Sequence, residues 1–244
     1  MNFLEGQIIG EHKVRRLKKN FYLVGAHQYA IHASIEALKP KFIIGAEFTG
    51  LQSIDMGHFD AHADMNALNS DQFSVKEIAK IISEVGKLRT GQGADISFIK
   101  KMASRVYRSQ EVTFMVKAGL VDMVHFIANT AYDYRDCRAR GVLPTTIKTF
   151  TGKDVFVEFQ TLASLTNSRG INFWDIDTDI IPFVDETTNR RGPITTAKCD
   201  HLVNILKSAG HNNQNQLTIV SHQNSAFGGN GVGFVDRFVN SLKE

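Results

Sequence analysis

Phe59-Asp60-Ala61-His62-Ala63-Asp64-Met65-Asn66 is the stretch whose reading decides the fold of this chain. Ligand-capable side chains at i, i+2 and i+4 point the same way on extended backbone, because strand side chains alternate faces; on a helix, i and i+2 diverge. Apolar Ile54, Met56 and Phe59 lead into the triplet with no acidic run nearby. The carboxylates are therefore expected at the end of a core strand, where a buried carboxylate persists only if paired, hydrogen-bonded or metal-bound. Taken alone, Asp-x-His-x-Asp is more often a polar strand end with helix-capping aspartates. The rest of the chain has to decide between the two.

Upstream, Phe21-Tyr22-Leu23-Val24-Gly25 is a β-prone run, and Ala26 to Leu38 repeats apolar residues at helical spacing until Pro40. That is a strand, a turn carrying His27, and a helix. Downstream, Ser74 with Glu77 forms a capping box ahead of a helix over 74–85, with Val75, Ile78, Ala79, Ile82 and Val85 expected as its buried stripe. Ile96 to Tyr107 and Val112 to Ala118 read as further helical pieces. Val121 to Ala128, Thr146 to Phe150 and Val155 to Phe159 read as strands, and Ile171 to Ile176 as a strong one that runs into Asp175-Ile176-Asp177-Thr178-Asp179. Pro193 to Ala209 is expected as a helix, Leu217 to Val220 as a last strand, and Phe234 to Leu242 as a final helix. Lys41 to Thr49 reads as another strand or an arm, and the first twenty residues as a short strand followed by a basic turn at Arg15 to Lys19. Strands alternating with helices predict an α/β fold, a three-layer α/β/α arrangement around a mostly parallel sheet. No repeat, linker or low-complexity tract divides residues 1–244, which are expected to form a single domain.

Composition narrows the function classes. With 244 residues and 43% apolar content, the chain can bury a full core. Twenty-eight basic against 25 acidic residues give a formal charge of +3, too weak a field to imply nucleic-acid or membrane partners. The small basic runs at Lys13 to Lys19, Lys100-Lys101 and Arg135 to Arg140 read as solvated faces. Cys137 and Cys199 lie far apart, suggesting neither a disulfide framework nor a thiolate metal site. Without a secretory n-region or a run of about 18 apolar residues, a cytoplasmic chain is expected. A homo-oligomer is left open.

Three strand-to-loop transitions thus carry metal-capable groups: His27, then Asp60, His62 and Asp64, then Asp175 and Asp177. Parallel strands present their carboxyl ends on one sheet edge, so the three can converge. Four carboxylates and two imidazoles suit Mn²⁺ or a similar hard-to-borderline ion, and there are enough of them for two. Carboxylates gathered this way repel unless cations neutralise them, and Asp60 and Asp175 are expected to bridge.

The spacing resembles the arginase-like ureohydrolases, whose pattern is an early His after a strand, then D-A-H-x-D, then D-x-D. Here these are Val24-Gly25-Ala26-His27, Asp60-Ala61-His62-Ala63-Asp64 and Trp174-Asp175-Ile176-Asp177. Gly57-His58-Phe59-Asp60-Ala61-His62-Ala63-Asp64-Met65-Asn66, with Phe126-Ile127 after Gly119-Leu120-Val121-Asp122, looks like the branch that contains peptide arginases, which convert arginine side chains of ribosomally made peptides to ornithine. The resemblance implies the arginase/deacetylase-like fold and a precursor peptide as partner. It implies one Mn²⁺ on His27, Asp60, Asp64 and Asp175, and a second on Asp60, His62, Asp175 and Asp177. It further implies a bridging hydroxide that attacks the guanidinium carbon, giving urea and a primary amine. Asp64 is the carboxylate expected to pass the proton to the leaving amine.

Two departures stand out. Small-molecule arginases place a glutamate on the late strand to hold the guanidinium, whereas the matching region here is Val220-Ser221-His222-Gln223-Asn224. Glu47 or Asp179 is then the candidate acid, His222 the candidate proton shuttle, and His222 and Gln223 candidate substrate contacts. The chain is also shorter than typical free-arginine enzymes, which fits a side chain presented on a peptide. His58 reads as a packing histidine or a support behind the ligands, and His125 as an interior histidine. The rival expectations are a small-molecule ureohydrolase acting on agmatine or a guanidino acid, and a non-catalytic metal-bearing or peptide-binding relative. A deacetylase-like amidohydrolase shares the broad fold but lacks this triplet.

Overall fold

The computed structural model describes residues 7–8, 14–18, 20–38, 54–60, 64, 66–127, 147–150, 171–183, 194–208, 210–211, 216–221 and 232–243. Among these, the strands are β1 (Gln7–Ile8), β2 (Val14–Lys18), β3 (Phe21–Val24), β4 (Asp55–Phe59), β5 (Met123–Ile127), β6 (Ile147–Phe150), β7 (Phe173–Asp177) and β8 (Leu217–Ser221). The helices are α1 (Gln28–Ala37), α2 (Val75–Arg89), α3 (Ile96–Ala103), α4 (Glu111–Ala118), α5 (Thr196–Ser208) and α6 (Val232–Lys243). Short 3-10 segments cover Arg108–Gln110 and Thr178–Phe183.

The strands form one mixed sheet in the order β1-β2-β3-β8-β7-β4-β5-β6. From β3 to β6 every neighbouring pair is parallel, and only the β1–β2 and β2–β3 pairs are antiparallel. The expected mostly parallel α/β sheet is therefore present, with one correction. The basic segment read as a turn at Arg15 to Lys19 is strand β2, which carries the sheet towards its edge. Arg15 and Arg16 are half-buried and Lys18 is exposed, so the charged side chains of β2 keep access to solvent beside the two-residue outer strand β1.

Strand alternation divides the core in two. Tyr22, Val24, Met56, Val124, Phe173 and Ile219 join a cluster completed by α1, α2, α3 and α4. Phe21, Leu23, Phe59, Trp174, Ile176 and Val220 join another, completed by α5 and α6. The parallel strands β3, β4, β7 and β8 are accordingly buried along their whole length, on both faces of the sheet.

The helix after the triplet begins as expected. Ser74 accepts the Glu77 backbone N–H, and the Glu77 carboxylate accepts the Ser74 N–H at 2.8 Å. Its buried stripe is phased differently: Ile81, Val85 and Leu88 face the core, while Val75 is 87% and Ile82 49% exposed. The helix runs a turn further than Val85, so Leu88 extends the i, i+4, i+7 series and rotates the buried face away from Val75 and Ile82. Gly119 closes α4 at φ +75°, a left-handed conformation that favours glycine. The strand or arm read over 41–49, the strand over 155–159 and the basic run over 135–140 lie outside the described residues. Among the described residues no helix is long and apolar enough to cross a membrane.

Candidate metal centre

β3, β8, β7 and β4 are adjacent and parallel, so their carboxyl ends share one edge. His27 follows β3 by three residues, at the entry to α1. His58 and Asp175 lie directly opposite each other in the β4–β7 register, on the face that Met56 and Phe173 give to the first core cluster. Alternation continues that face to Asp60, just past the end of β4, and to Asp177 at the end of β7. His27, His58, Asp60, Asp175 and Asp177 are all at most 1% exposed.

Their polar atoms meet. His27 Nδ1 lies 2.6 Å from Asp64 Oδ2 and 3.1 Å from Asp60 Oδ2, and its Nε2 lies 3.7 Å from Asp177 and 4.0 Å from Asp175. The structure therefore brings together His27, Asp60, Asp64, Asp175 and Asp177 from three chain segments that sequence spacing alone had linked. His62, the sixth expected ligand, lies outside the described residues, as do Glu47, His222 and Gln223. Asp179 is buried beside the cluster, where its backbone N–H donates to Asp177 Oδ1 at 3.0 Å.

Asp64 does not continue the extended backbone that the i, i+2, i+4 pattern called for. Its φ is +44°, the left-handed region that aspartate tolerates better than most residues. Two hydrogen bonds fix this turn: Val112 N–H donates to Asp64 O at 3.2 Å, and Asn66 N–H to Ser109 O at 2.8 Å. The segment after the triplet is thereby stitched to the start of α4. That brings in a residue the sequence reading missed, Glu111, which is fully buried with Oε2 3.7 Å from His27 Nδ1. As a glutamate at the first position of a short helix, it looks like an ordinary favourable charge at a helix N-terminus. Only the backbone bonds between 64–66 and 109–112 reveal its place.

The electrostatics are those of a crowded anionic site. Burial pushes the carboxyls of Asp60, Glu111 and Asp177 up from their ordinary values, and neighbouring carboxylates push them further, with His27 opposing. For His27 burial acts to remove the proton, but Glu111, Asp177, Asp60 and Asp175 together outweigh it and hold the imidazole well above its ordinary value. One imidazolium faces several buried acids, which is too little positive charge for them all to ionise. His27 Nε2, Asp175 Oδ1 and both Glu111 oxygens have no hydrogen-bond partner among the described residues. Two groups, His27/Asp60/Asp177 and His27/Glu111/Asp175, each have ligand atoms within 4.8 Å of one another. An all-nitrogen-and-oxygen donor set, buried, crowded and short of positive charge, fits hard-to-borderline divalent cations.

No protein-family model and no curated protein sequence matches the chain. Among solved structures, an arginase from Bacillus cereus aligns with 15% identity and a TM-score of 0.46, over 90% of this chain and 69% of that one.

Proposed function

We propose that the chain is a metal-dependent hydrolase of the guanidinium group, with two Mn²⁺ as the resident cations and an arginine side chain of a precursor peptide as substrate, giving ornithine and urea. The observation that carries this reading is the convergence of Asp60, Asp64, Asp175 and Asp177 within 4.0 Å of the His27 ring nitrogens. These positions are those of the ureohydrolase-like pattern in the sequence. In this reading His27, Asp60, Asp64, His62, Asp175 and Asp177 hold the cations, and the chain folds as one three-layer catalytic domain.

When bound, such cations lower the pKa of water toward neutrality, so a nucleophile exists without a separate strong base. The protein's own groups do the rest. Asp64, hydrogen-bonded to His27 at 2.6 Å, is the least buried of the five. It is the carboxylate we assign to take a proton from the attacking water and deliver it to the leaving amine. The imidazole of His27 and the hydrogen bond from His58 to Asp175 keep the acids oriented while charge develops. Asp179, Glu47, His222 and Gln223 are the residues we assign to grip the guanidinium and the peptide around it.

The test incubates metal-free and Mn²⁺-loaded protein with an arginine-containing peptide, free arginine and agmatine, followed by mass spectrometry and urea analysis. Conversion of the peptide alone, only when loaded, supports the proposal. Conversion of free arginine or agmatine alone moves the assignment to a small-molecule ureohydrolase, and urea from none of the three contradicts it.

A further inference from the structure

Glu111 lies outside the Asp-x-His-x-Asp and Asp-x-Asp motifs, yet it is 0% exposed and its oxygen stands with His27 and Asp175 in one ligand-sized group. We propose that Glu111 is a further carboxylate of the cation site, held against it by the turn at Asp64. This rests on the metal-centre reading above and adds a residue that the sequence pattern does not contain.

The bland alternative is a buried glutamate serving its own helix. A first-turn glutamate in that role accepts a backbone N–H or pairs with a nearby cation on the helix surface. Among the described residues Glu111 accepts neither: both its oxygens lack hydrogen-bond partners there, and α4 has no side-chain cap. A buried carboxylate left this way is costly unless something positive meets it. Among the described residues the positive group beside it is His27 at 3.7 Å, already closer to Asp64 and Asp60.

A substrate guanidinium is the second positive group to consider, and the geometry disfavours it. Guanidinium is planar and presents a fork of donors, so it needs room beside the carboxylate. Glu111 is instead enclosed, with His27 and Asp175 atoms inside the 4.8 Å spread of its group. Atoms bound to one divalent ion at about 2.0–2.6 Å stand within roughly twice that distance of each other. A monatomic ion fits where a guanidinium does not.

The position is also built. Val112 N–H bonds to Asp64 O, and Gln110 Nε2 donates to Ala67 O at 2.7 Å, so residues on both sides of Glu111 are tied to the segment that carries Asp64. Glu111 and Asp64 are thus positioned by one strap.

The experiment measures Mn²⁺ affinity of the full chain by calorimetric titration and by the Mn²⁺-induced shift in melting temperature. It compares wild type, Glu111→Gln, Glu111→Asp and, as a remote control, Glu77→Gln. We expect Glu111→Gln, which keeps the shape of the side chain, to bind Mn²⁺ 10–100-fold more weakly. Glu111→Asp should fall between that and wild type, and Glu77→Gln should bind as wild type does. Unchanged Mn²⁺ affinity in folded Glu111→Gln overturns the proposal while leaving the metal centre intact. Should the Gln variant fail to fold, Glu111→Asp decides, and affinity equal to wild type overturns the proposal. Failure of wild type itself to bind Mn²⁺ overturns the metal-centre reading and this one with it.

Discussion

His58 Nδ1 lies 2.7 Å from Asp175 Oδ2, across the β4–β7 register that pairs these same two residues. With an ionised Asp175 the imidazole is the donor, so it orients the carboxylate while leaving Oδ1 free for another partner. Replacing His58 with Phe removes that bond in a fully buried place. Mn²⁺ affinity is expected to fall 10–100-fold, as it does when a hydrogen bond behind a ligand is lost. Competition with a chelator of known affinity measures it, and an unchanged constant would reduce His58 to packing.

Gly57 sits in the same strand with its face turned to the other core cluster, paired with Trp174. A Cβ there would meet the Trp174 ring at 3.1 Å and Ile171 Cδ1 at 3.2 Å. Trp174 has little freedom to yield, because its Nε1–H donates to Gln216 Oε1 at 2.7 Å. Gly57→Ala is therefore expected to destabilise the fold by about 1–3 kcal/mol, the usual cost of overpacking. Urea denaturation should show a lower midpoint at unchanged slope.

His211 supplies a pH dependence separate from the cation site. Its Nε2 lies 2.9 Å from the Thr218 hydroxyl and its ring meets Trp174 edge-on. Burial, followed by the charge of Lys207, pushes its pKa down from 6.5 to about 4. The unfolded chain therefore takes up the proton first, and the contribution is fully present above about pH 6.5 and lost as pH falls toward 4. For a half-buried ring, solvent screening reduces this to about 1–2 kcal/mol. The stability difference between wild type and His211→Gln should shrink over that window and be constant above it; a difference that does not change with pH would contradict the assignment.

The capping box offers the simplest stability test. Ser74→Ala removes the acceptor of the Glu77 N–H and the hydroxyl that donates to the Glu77 carboxylate at 2.9 Å. A loss of about 1 kcal/mol is expected from thermal or urea unfolding, with Mn²⁺ binding unchanged.

Much of this was legible in the sequence because it rests on local signals. Alternating β-prone runs and amphipathic helices gave the parallel α/β sheet, Ser74 with Glu77 gave a helix start, and Gly119 gave a helix end. The convergence of His27, Asp60 and Asp175 followed from one rule about parallel strand ends. What escaped reading depends on contacts between distant segments. Arg15, Arg16 and Lys18 make a poor strand by composition, yet β3 pairs with them. Val75 and Ile82 fit a helical stripe as well as Ile81 and Leu88 do, and only the neighbouring core chooses. Asp64 needed a left-handed turn, and Glu111 needed that turn's hydrogen bonds, before either could be placed beside His27.

The most direct measurement is made on one preparation: Mn²⁺ content per chain after reconstitution and removal of excess metal, together with urea released from an arginine-containing peptide, for wild type and Asp60→Asn. The account predicts about two Mn²⁺ per chain and urea release for wild type, and loss of both in a folded Asp60→Asn variant. A wild type that retains no Mn²⁺, or an Asp60→Asn variant that retains both metal and urea release, would contradict it.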